Sequence, residues 1–375
     1  MLLTLVPAPV TGPVPLPDPR VKQTDRRTFF AVAGGIGLAA AVGTLASRGV
    51  RGTDRVAASR AATTFPPPKQ TVAVPDQPFA VDGLSPYLTP NAAFYRIDTA
   101  IFLPEVDVTA WRLRVSGGVE RPLTLTYDEL LAMALVEQPV TLACVSNDVG
   151  GSLVGNAVWR GVPLADVLDR AGVRPEATQI IARAVDDFTV GLPTAAATDG
   201  RTALVAVAMN GEPLPVRHGY PARLVVAGLY GYVSATKWLT SLELTRFEDA
   251  DSFWVERGWA RDGPIKLESR VDVPRSGAEV PAGTVMVAGV AWAPGIGISA
   301  VEVQLDRGRW EQAELGRVAS ADTWVQWRHP VAVGPGSHLV AVRAYDGTGA
   351  RQTEETRRPE PDGATGYHYR GFAAV

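Results

Sequence analysis

The chain is predicted to fold as an α+β domain followed by an all-β, immunoglobulin-like sandwich. Three observations lead there. Apolar stretches of strand length are scattered between two short amphipathic helices, with no regular βαβ repeat. Beyond about residue 275, roughly 100 residues break into alternating segments separated by Gly- and Asp-rich turns. Hydrophobic residues make up 46% of the 375 and charged residues 20%, a balance that supports a packed core.

Taken in order, Asp25-Arg26-Arg27-Thr28-Phe29-Phe30 precedes a weakly apolar run ending at Ala46. Paired arginines before a short Gly/Ala-rich hydrophobic stretch read as a twin-arginine signal for export of a folded protein. Residues 29–46 are also about long enough for an uncleaved membrane anchor. Residues 1–50 are therefore set apart from the fold, and the location expected is extracytoplasmic or periplasmic. Gly35, Gly37 and Ala40 mimic a dinucleotide fingerprint, but no strand precedes them. Residues 51–83, with Pro66-Pro67-Pro68, read as an extended linker.

The first domain is expected over 84–255. Trp111–Val115 alternates like a strand. Thr126 followed by Glu129 forms a capping-box pattern that opens a helix. Leu164–Ala171 is an amphipathic helix closed by Gly172. Gln179–Val185, Ala203–Met209 and Arg223–Ala227 read as strands, and Asn210-Gly211 as a turn. Residues 254–275 read as a connection into a second domain over 256–375. In it, Thr284–Trp292, Val301–Leu305, Thr323–Val333 and His338–Tyr345 are strand segments, followed by a C-terminal tail.

Residues 1–60 carry eight basic and three acidic side chains, so a total of −3 leaves a net −8 on the remainder. An acidic body excludes nucleic acid as a partner. Arginine far outnumbers lysine, of which there are four (Lys22, Lys69, Lys237, Lys266), so each lysine merits attention. Cys144 is the single cysteine. No intrachain disulfide can form, and the sulfur is either packing or a special ligand. Export in the folded state favours an enzyme that collects a cofactor before it crosses.

Four segments carry the chemistry: Phe94-Tyr95-Arg96-Ile97-Asp98; Cys144-Val145-Ser146-Asn147 with Gly150-Gly151 and Trp159; Asn210–Pro215 running into His218–Arg223; and Gly228–Gly231 followed by Ser234-Ala235-Thr236-Lys237-Trp238. In order and spacing, over about residues 86–350, these resemble the sulfite-oxidase family of molybdenum-cofactor enzymes. The resemblance implies a sulfite-oxidase-like molybdopterin domain and a C-terminal domain of the dimerisation type. Cys144 would be the protein thiolate on molybdenum, beside the dithiolene sulfurs of molybdopterin. A soft thiolate suits such a metal, and metal binding keeps it deprotonated.

The resemblance lines the cofactor pocket with Phe94, Tyr95, Arg96, Ser146, Asn147, Asp186, His218, Arg223, Ser234, Thr236 and Lys237. His218, Arg223 and Lys237 would hold the cofactor phosphate, with Ser234 or Thr236 adding a hydroxyl. Asp186 would accept hydrogen bonds from the pterin ring. Arg96 and Cys144 are the candidate catalytic residues, Arg96 facing the substrate oxygen. Each has a plainer alternative: His218 as a structural histidine, Asp186 as a turn aspartate, Arg96 as a loop ion pair.

The chain departs from the family where sulfite would be bound. Five residues after the cysteine stands Val149 rather than arginine. Ala293-Pro294 follows Trp292 where another cation is expected, Trp259 replaces a tyrosine, and Asp98 stands where histidine is common. The expected activity is therefore oxygen-atom transfer to or from a sulfur-containing small molecule, with sulfite not favoured. No Cys-x-x-Cys-His sequence is present, so electrons need a separate electron-transfer protein or quinone-linked carrier. Two rival readings remain at this point: a cell-envelope thiol enzyme using Cys144 with His218 as base, and a non-catalytic envelope binding protein.

Overall fold

The unbroken apolar run Ala203–Met209 becomes a fully buried strand. The computed structural model of the protein describes residues 55–77 and 79–375, and these lie in one compact unit. The twin-arginine segment and residues 29–46 lie outside the described residues. Among the described residues, no helix is long and apolar enough to cross a membrane.

A six-stranded sheet runs in the order Gln70–Thr71, Val136–Ala143, Val154–Pro163, Ala203–Met209, Arg223–Val226, with Glu212–Pro213 paired beside Ala203–Met209. Every residue of Ala203–Met209 is buried. One face of this sheet packs against a five-stranded sheet through Val162, Val205, Val207, Leu113, Val115 and Leu242. The five-stranded order is Leu123–Thr126, Arg112–Gly117, Leu239–Thr245, Gln179–Ala184, Thr189–Pro193. The other face is covered by Phe94, Trp159, Tyr220 and Val56.

The helices are short. Tyr127–Leu131 begins with the anticipated capping box. Leu164–Ala171 buries Leu164, Val167, Leu168 and Ala171 at helical spacing and stops at Gly172, whose φ is +68°. The α+β label therefore needs correction: the described chain is mostly sheet. Two long strands, Val136–Ala143 and Val154–Pro163, went unread because burial on both faces erases the period-two signal. Pro139, Gly155 and Gly161 inside them also look like breakers. Gly161 is required there, since a Cβ would lie 2.4 Å from the carbonyl oxygen of Val205.

The stretch read as a linker is packed. Residues 55–62 are helical. Arg60 donates to the carbonyls of Leu214 and Pro213, and Gln70–Thr71 pairs in parallel with Val136 and Glu137.

The C-terminal region is two facing sheets. One has the order Glu268–Val273, Gly283–Trp292, Val325–Val333, Glu314–Leu315; the other Glu279–Val280, His368–Ala374, Gly336–Asp346, Ile298–Leu305, Trp310–Gln312. Val271, Val287, Trp327, Val303, Val340 and Val342 fill the space between. Its first and last long strands, Glu268–Val273 and His368–Ala374, lie in segments read as connection and tail. Trp292 and Trp324 instead join the main core of the N-terminal sheets. Tyr87 secures that junction: its carbonyl accepts from Trp324 Nε1 at 2.9 Å, and its hydroxyl bonds Thr323 at 2.8 Å.

Candidate active site

Cys144 is the first residue beyond the strand Val136–Ala143, in the loop 144–153 that turns back into Val154–Pro163. Its N–H donates to the carbonyl of Leu153 (2.9 Å), and its own carbonyl accepts from the N–H of Asn147 (3.0 Å). Cys144 is a buried free cysteine, with 8% of the residue exposed. Burial pushes the thiol upward; the N–H and hydroxyl of Ser146 and the charge of Lys237 pull the other way, and burial prevails. Without a cation this sulfur is a thiol, and a soft metal ion is what would hold it as thiolate. Among the described residues, no cluster of three or more His, Cys, Asp or Glu side chains could hold a metal ion. A metal at Cys144 would take most of its ligands from an organic chelate.

Phe94 and Tyr95 stack with centroids 5.2 Å apart. Phe94 also meets Trp159 and His218 edge-on, each at 5.7 Å. The Tyr95 hydroxyl is held protonated, chiefly by burial and then by the nearby sulfur of Cys144, against an opposing pull from Arg223. Tyr95 thus feels both the cysteine and Arg223. Arg96 is tied bidentately to Asp98, through Nε at 2.7 Å and Nη2 at 3.1 Å. Lys237 Nζ reaches the same carboxylate at 2.8 Å and the carbonyl of Ile97 at 2.9 Å. Burial would raise the Asp98 carboxyl, but bonds from Arg96 and Lys237 outweigh it and hold it below the usual range.

The three anticipated phosphate-binding cations do assemble. Gly219 has φ +107°, and a Cβ there would lie 3.0–3.1 Å from Lys237 and Arg223 atoms. Only glycine allows that approach. His218 is fully buried; its Nε2 donates to the carbonyl of Asn91 at 2.9 Å, which leaves Nδ1 as a bare acceptor with no partner. Burial lowers its pKa to about 4. The Arg223 guanidinium is buried over the Trp159 ring, 4.9 Å from its centroid. It donates to the His218 carbonyl at 3.2 Å and forms no ion pair among the described residues. Burial draws Arg223 down to about 10 and Lys237 down to about 8.

Buried cations without enough anionic partners are costly. The same segment, 218–237, carries two buried polar atoms without a partner, His218 Nδ1 and the hydroxyl of Thr236. A dianionic phosphate would satisfy the group: the guanidinium and ammonium would donate, the Thr236 hydroxyl would donate, and Nδ1 would take up a proton in the anion's field. The residues present therefore fit a phosphate-tailed cofactor anchored at Cys144.

Three anticipated contacts are placed differently. The Ser234 hydroxyl is spent on the carbonyls of Leu229 and Tyr230 at 2.9 and 3.0 Å. Asn147 is a brace: its Oδ1 accepts from Leu153 N–H at 2.7 Å and its Nδ2 reaches Glu268 at 3.4 Å. Asp186 is an exposed turn aspartate accepting from Phe188 N–H at 3.4 Å. Arg96 is the loop ion pair of the plainer alternative. Among the described residues, the Cys144–His218 nucleophile–base pair of the thiol-enzyme reading is not formed, and the His218 ring has one hydrogen bond, to Asn91. Sequence reasoning missed Glu268, a buried carboxyl that burial pushes up to about 8. Glu268 opens the strand Glu268–Val273, whose Ser269, Arg270 and Asp272 make it read as an ordinary polar segment, so no local signal marked it. Sequence reasoning also gave Asp98 no positive role.

Comparison with known proteins agrees with this geometry. Residues 100–254 match the oxidoreductase molybdopterin binding domain. The chain is 37% identical over 157 residues to the uncharacterized oxidoreductase YuiH of Bacillus subtilis, covering 42% of this chain and 76% of that protein. It is 30% identical over 312 residues to the sulfite oxidase of Gallus gallus, covering 69% of this chain and 67% of that one. It spans about half of the mitochondrial sulfite oxidases of Rattus norvegicus (49%) and Homo sapiens (56%). In fold it matches the sulfane dehydrogenase SoxCD of Paracoccus pantotrophus, with a TM-score of 0.67 and 24% identity over 77% of this chain and 81% of that one. With the lone sulfur, the buried cations and these relatives in agreement, the chain belongs to the sulfite-oxidase family of molybdopterin-dependent oxidoreductases, and its cofactor is molybdenum–molybdopterin.

Proposed function

We propose that the protein catalyses oxygen-atom transfer to or from a small sulfur-containing substrate of low charge, and that sulfite is a poor substrate. The relatives named sulfite oxidases support the sulfur chemistry. The observation that carries the finer reading is the engaged Arg96: its Nε and Nη2 are held by Asp98, a carboxylate it shares with Lys237. Val149 and the buried pair Ala293-Pro294 supply no cation at the other two expected places.

When bound, the cofactor supplies a centre that exchanges an oxygen atom and two electrons. The chain's own residues do the rest. Cys144 anchors the metal. Arg223, Lys237 and Thr236 would hold the phosphate, with His218 once the anion's charge has drawn a proton to it, and of the two candidate hydroxyls Thr236 is the one free to bond. Asp98 keeps Lys237 charged and aligned. Tyr95 presents a protonated hydroxyl beside the sulfur. Sulfite is a dianion, and two missing charged hydrogen bonds of about 1.5–3 kcal/mol each would weaken its binding by two to four orders of magnitude. Steady-state assays of the loaded enzyme with sulfite and an artificial acceptor, and with small sulfoxides and a reduced dye, test this. Saturable sulfite turnover faster than sulfoxide turnover would overturn it.

The rest of the reading concerns setting. Arg26-Arg27 and the following apolar run support export, which cell fractionation checks. Electrons would pass to a separate protein or quinone-linked carrier. The C-terminal sheet orders group the first, third and later strands in an arrangement like that of immunoglobulin domains, which supports an immunoglobulin-like, dimer-forming module. A monomeric mass by light scattering would remove the dimer from the proposal.

A further inference from the structure

A second cationic cavity lies on the far side of the cysteine loop, where the loop meets the C-terminal sheets. It has a volume of about 390 Å³, and Arg270, Arg275, Arg370, Ser152 and the backbone of Gly150-Gly151 line it. The three arginines face one carboxylate, Asp272. Each of its oxygens already accepts a bond: Oδ1 from Arg270 Nε at 2.7 Å and Oδ2 from the N–H of Ser85 at 3.0 Å. Arg270 is spent too, with Nη1 on the carbonyl of Gly151 (2.7 Å) and Nη2 on the Ser85 hydroxyl (2.9 Å).

Arg370 and Arg275 are not spent. Arg370 donates once, through Nη2 to the carbonyl of Val271 at 2.9 Å. Its buried Nε has no partner. Arg275 is exposed and forms no ion pair among the described residues. His368 packs behind Gly150, and burial lowers its pKa to about 4, so it adds no charge. Three guanidinium groups against one carboxylate leave a charge of about +2. Among the residues lining the cavity, no other carboxylate balances it.

We propose that this cavity binds a small divalent tetrahedral oxyanion of the sulfate or phosphate type. The charge matches a dianion, the guanidinium forks of Arg275 and Arg370 suit paired oxygens, and Ser152 and the loop backbone supply further donors. A volume of about 390 Å³ has room for such an ion with accompanying water. Because Arg270 grips Gly151 and the cavity wall is the loop 150–152, an occupant braces the same loop that carries Cys144.

The test is calorimetric titration of the full-length, cofactor-loaded protein with sodium sulfate and, separately, with inorganic phosphate, at ionic strength held constant with chloride. One saturable site per chain is expected. Arg275→Gln, an exposed substitution that leaves the core untouched, and Arg370→Gln should each weaken binding at least tenfold. Arg317→Gln, on the surface elsewhere, should leave it unchanged. The two anions differ only in which binds tighter, and saturable binding of either supports the site. Absence of saturable binding of both, or binding unchanged in the Arg275→Gln/Arg370→Gln double variant, overturns it. So does binding abolished by Arg223→Gln but not by Arg275→Gln, which would put the anion in the cofactor cradle.

Discussion

Cys144 and Thr236 each act through a single atom, and single substitutions should separate their roles. Cys144→Ala is expected to remove bound molybdenum from about one atom per chain to none, while the loop bonds of Asn147 keep the fold; elemental analysis beside circular dichroism checks both halves. Thr236→Val should lower the pterin content of purified protein, whereas Ser234→Ala should leave it unchanged and cost about 1 kcal/mol of stability for its lost carbonyl bonds. Glu268 contributes a pH signature. Its folded-state pKa of about 8 lies above the ordinary 4.5. Between those values the native chain holds a proton that the unfolded chain has released. Its contribution to stability is therefore full below about pH 4.5 and is lost as pH rises through about 8, at up to about 1.4 kcal/mol per unit. Glu268→Gln should flatten that decline, measured as Tm against pH. At this scale the sequence revealed residue types well. It did not reveal which of two nearby hydroxyls is free, because that depends on where the carbonyls of Leu229 and Tyr230 point.

The decisive element is the antiparallel pair Val136–Ala143 and Val154–Pro163 with the loop between them. Asn147 closes the loop from inside, Arg270 holds it from outside, and Gly150 turns it. Gly150 has φ +75°, and a Cβ there would fall 2.3 Å from the His368 ring. Gly150→Ala should cost about 1–3 kcal/mol and lower metal occupancy at Cys144; urea denaturation and metal content measure the two effects. Periodicity found Leu164–Ala171 and Ala203–Met209 with their observed bounds, since one is a one-sided helix and the other an unbroken apolar run. The pair that matters most escaped it, because residues buried on both faces show no alternation.

At the scale of the whole molecule, the C-terminal sheets share a core with the cofactor region. Trp292 and Trp324 leave their own sandwich and enter the packing around Val205 and Leu242. Thermal unfolding should therefore show one transition, with tryptophan fluorescence and calorimetry coinciding. Trp324→Ala should cost about 3–5 kcal/mol and lower the stability of both regions together. Two resolved transitions would mean that the junction through Tyr87 contributes little.

Sequence alone pointed to the class of this protein through a resemblance: four segments, in the order and spacing of the sulfite-oxidase family, carry the cysteine and the cations, and order and spacing along a chain are local facts. Tertiary structure decided which of those groups are free to act. It bound Arg96 to Asp98, exposed Asp186, turned Asn147 into a brace and gathered Arg270, Arg275 and Arg370 around one cavity. Hydrogen-bond partners and uncompensated charge arise from segments far apart in the chain, and no local pattern records them.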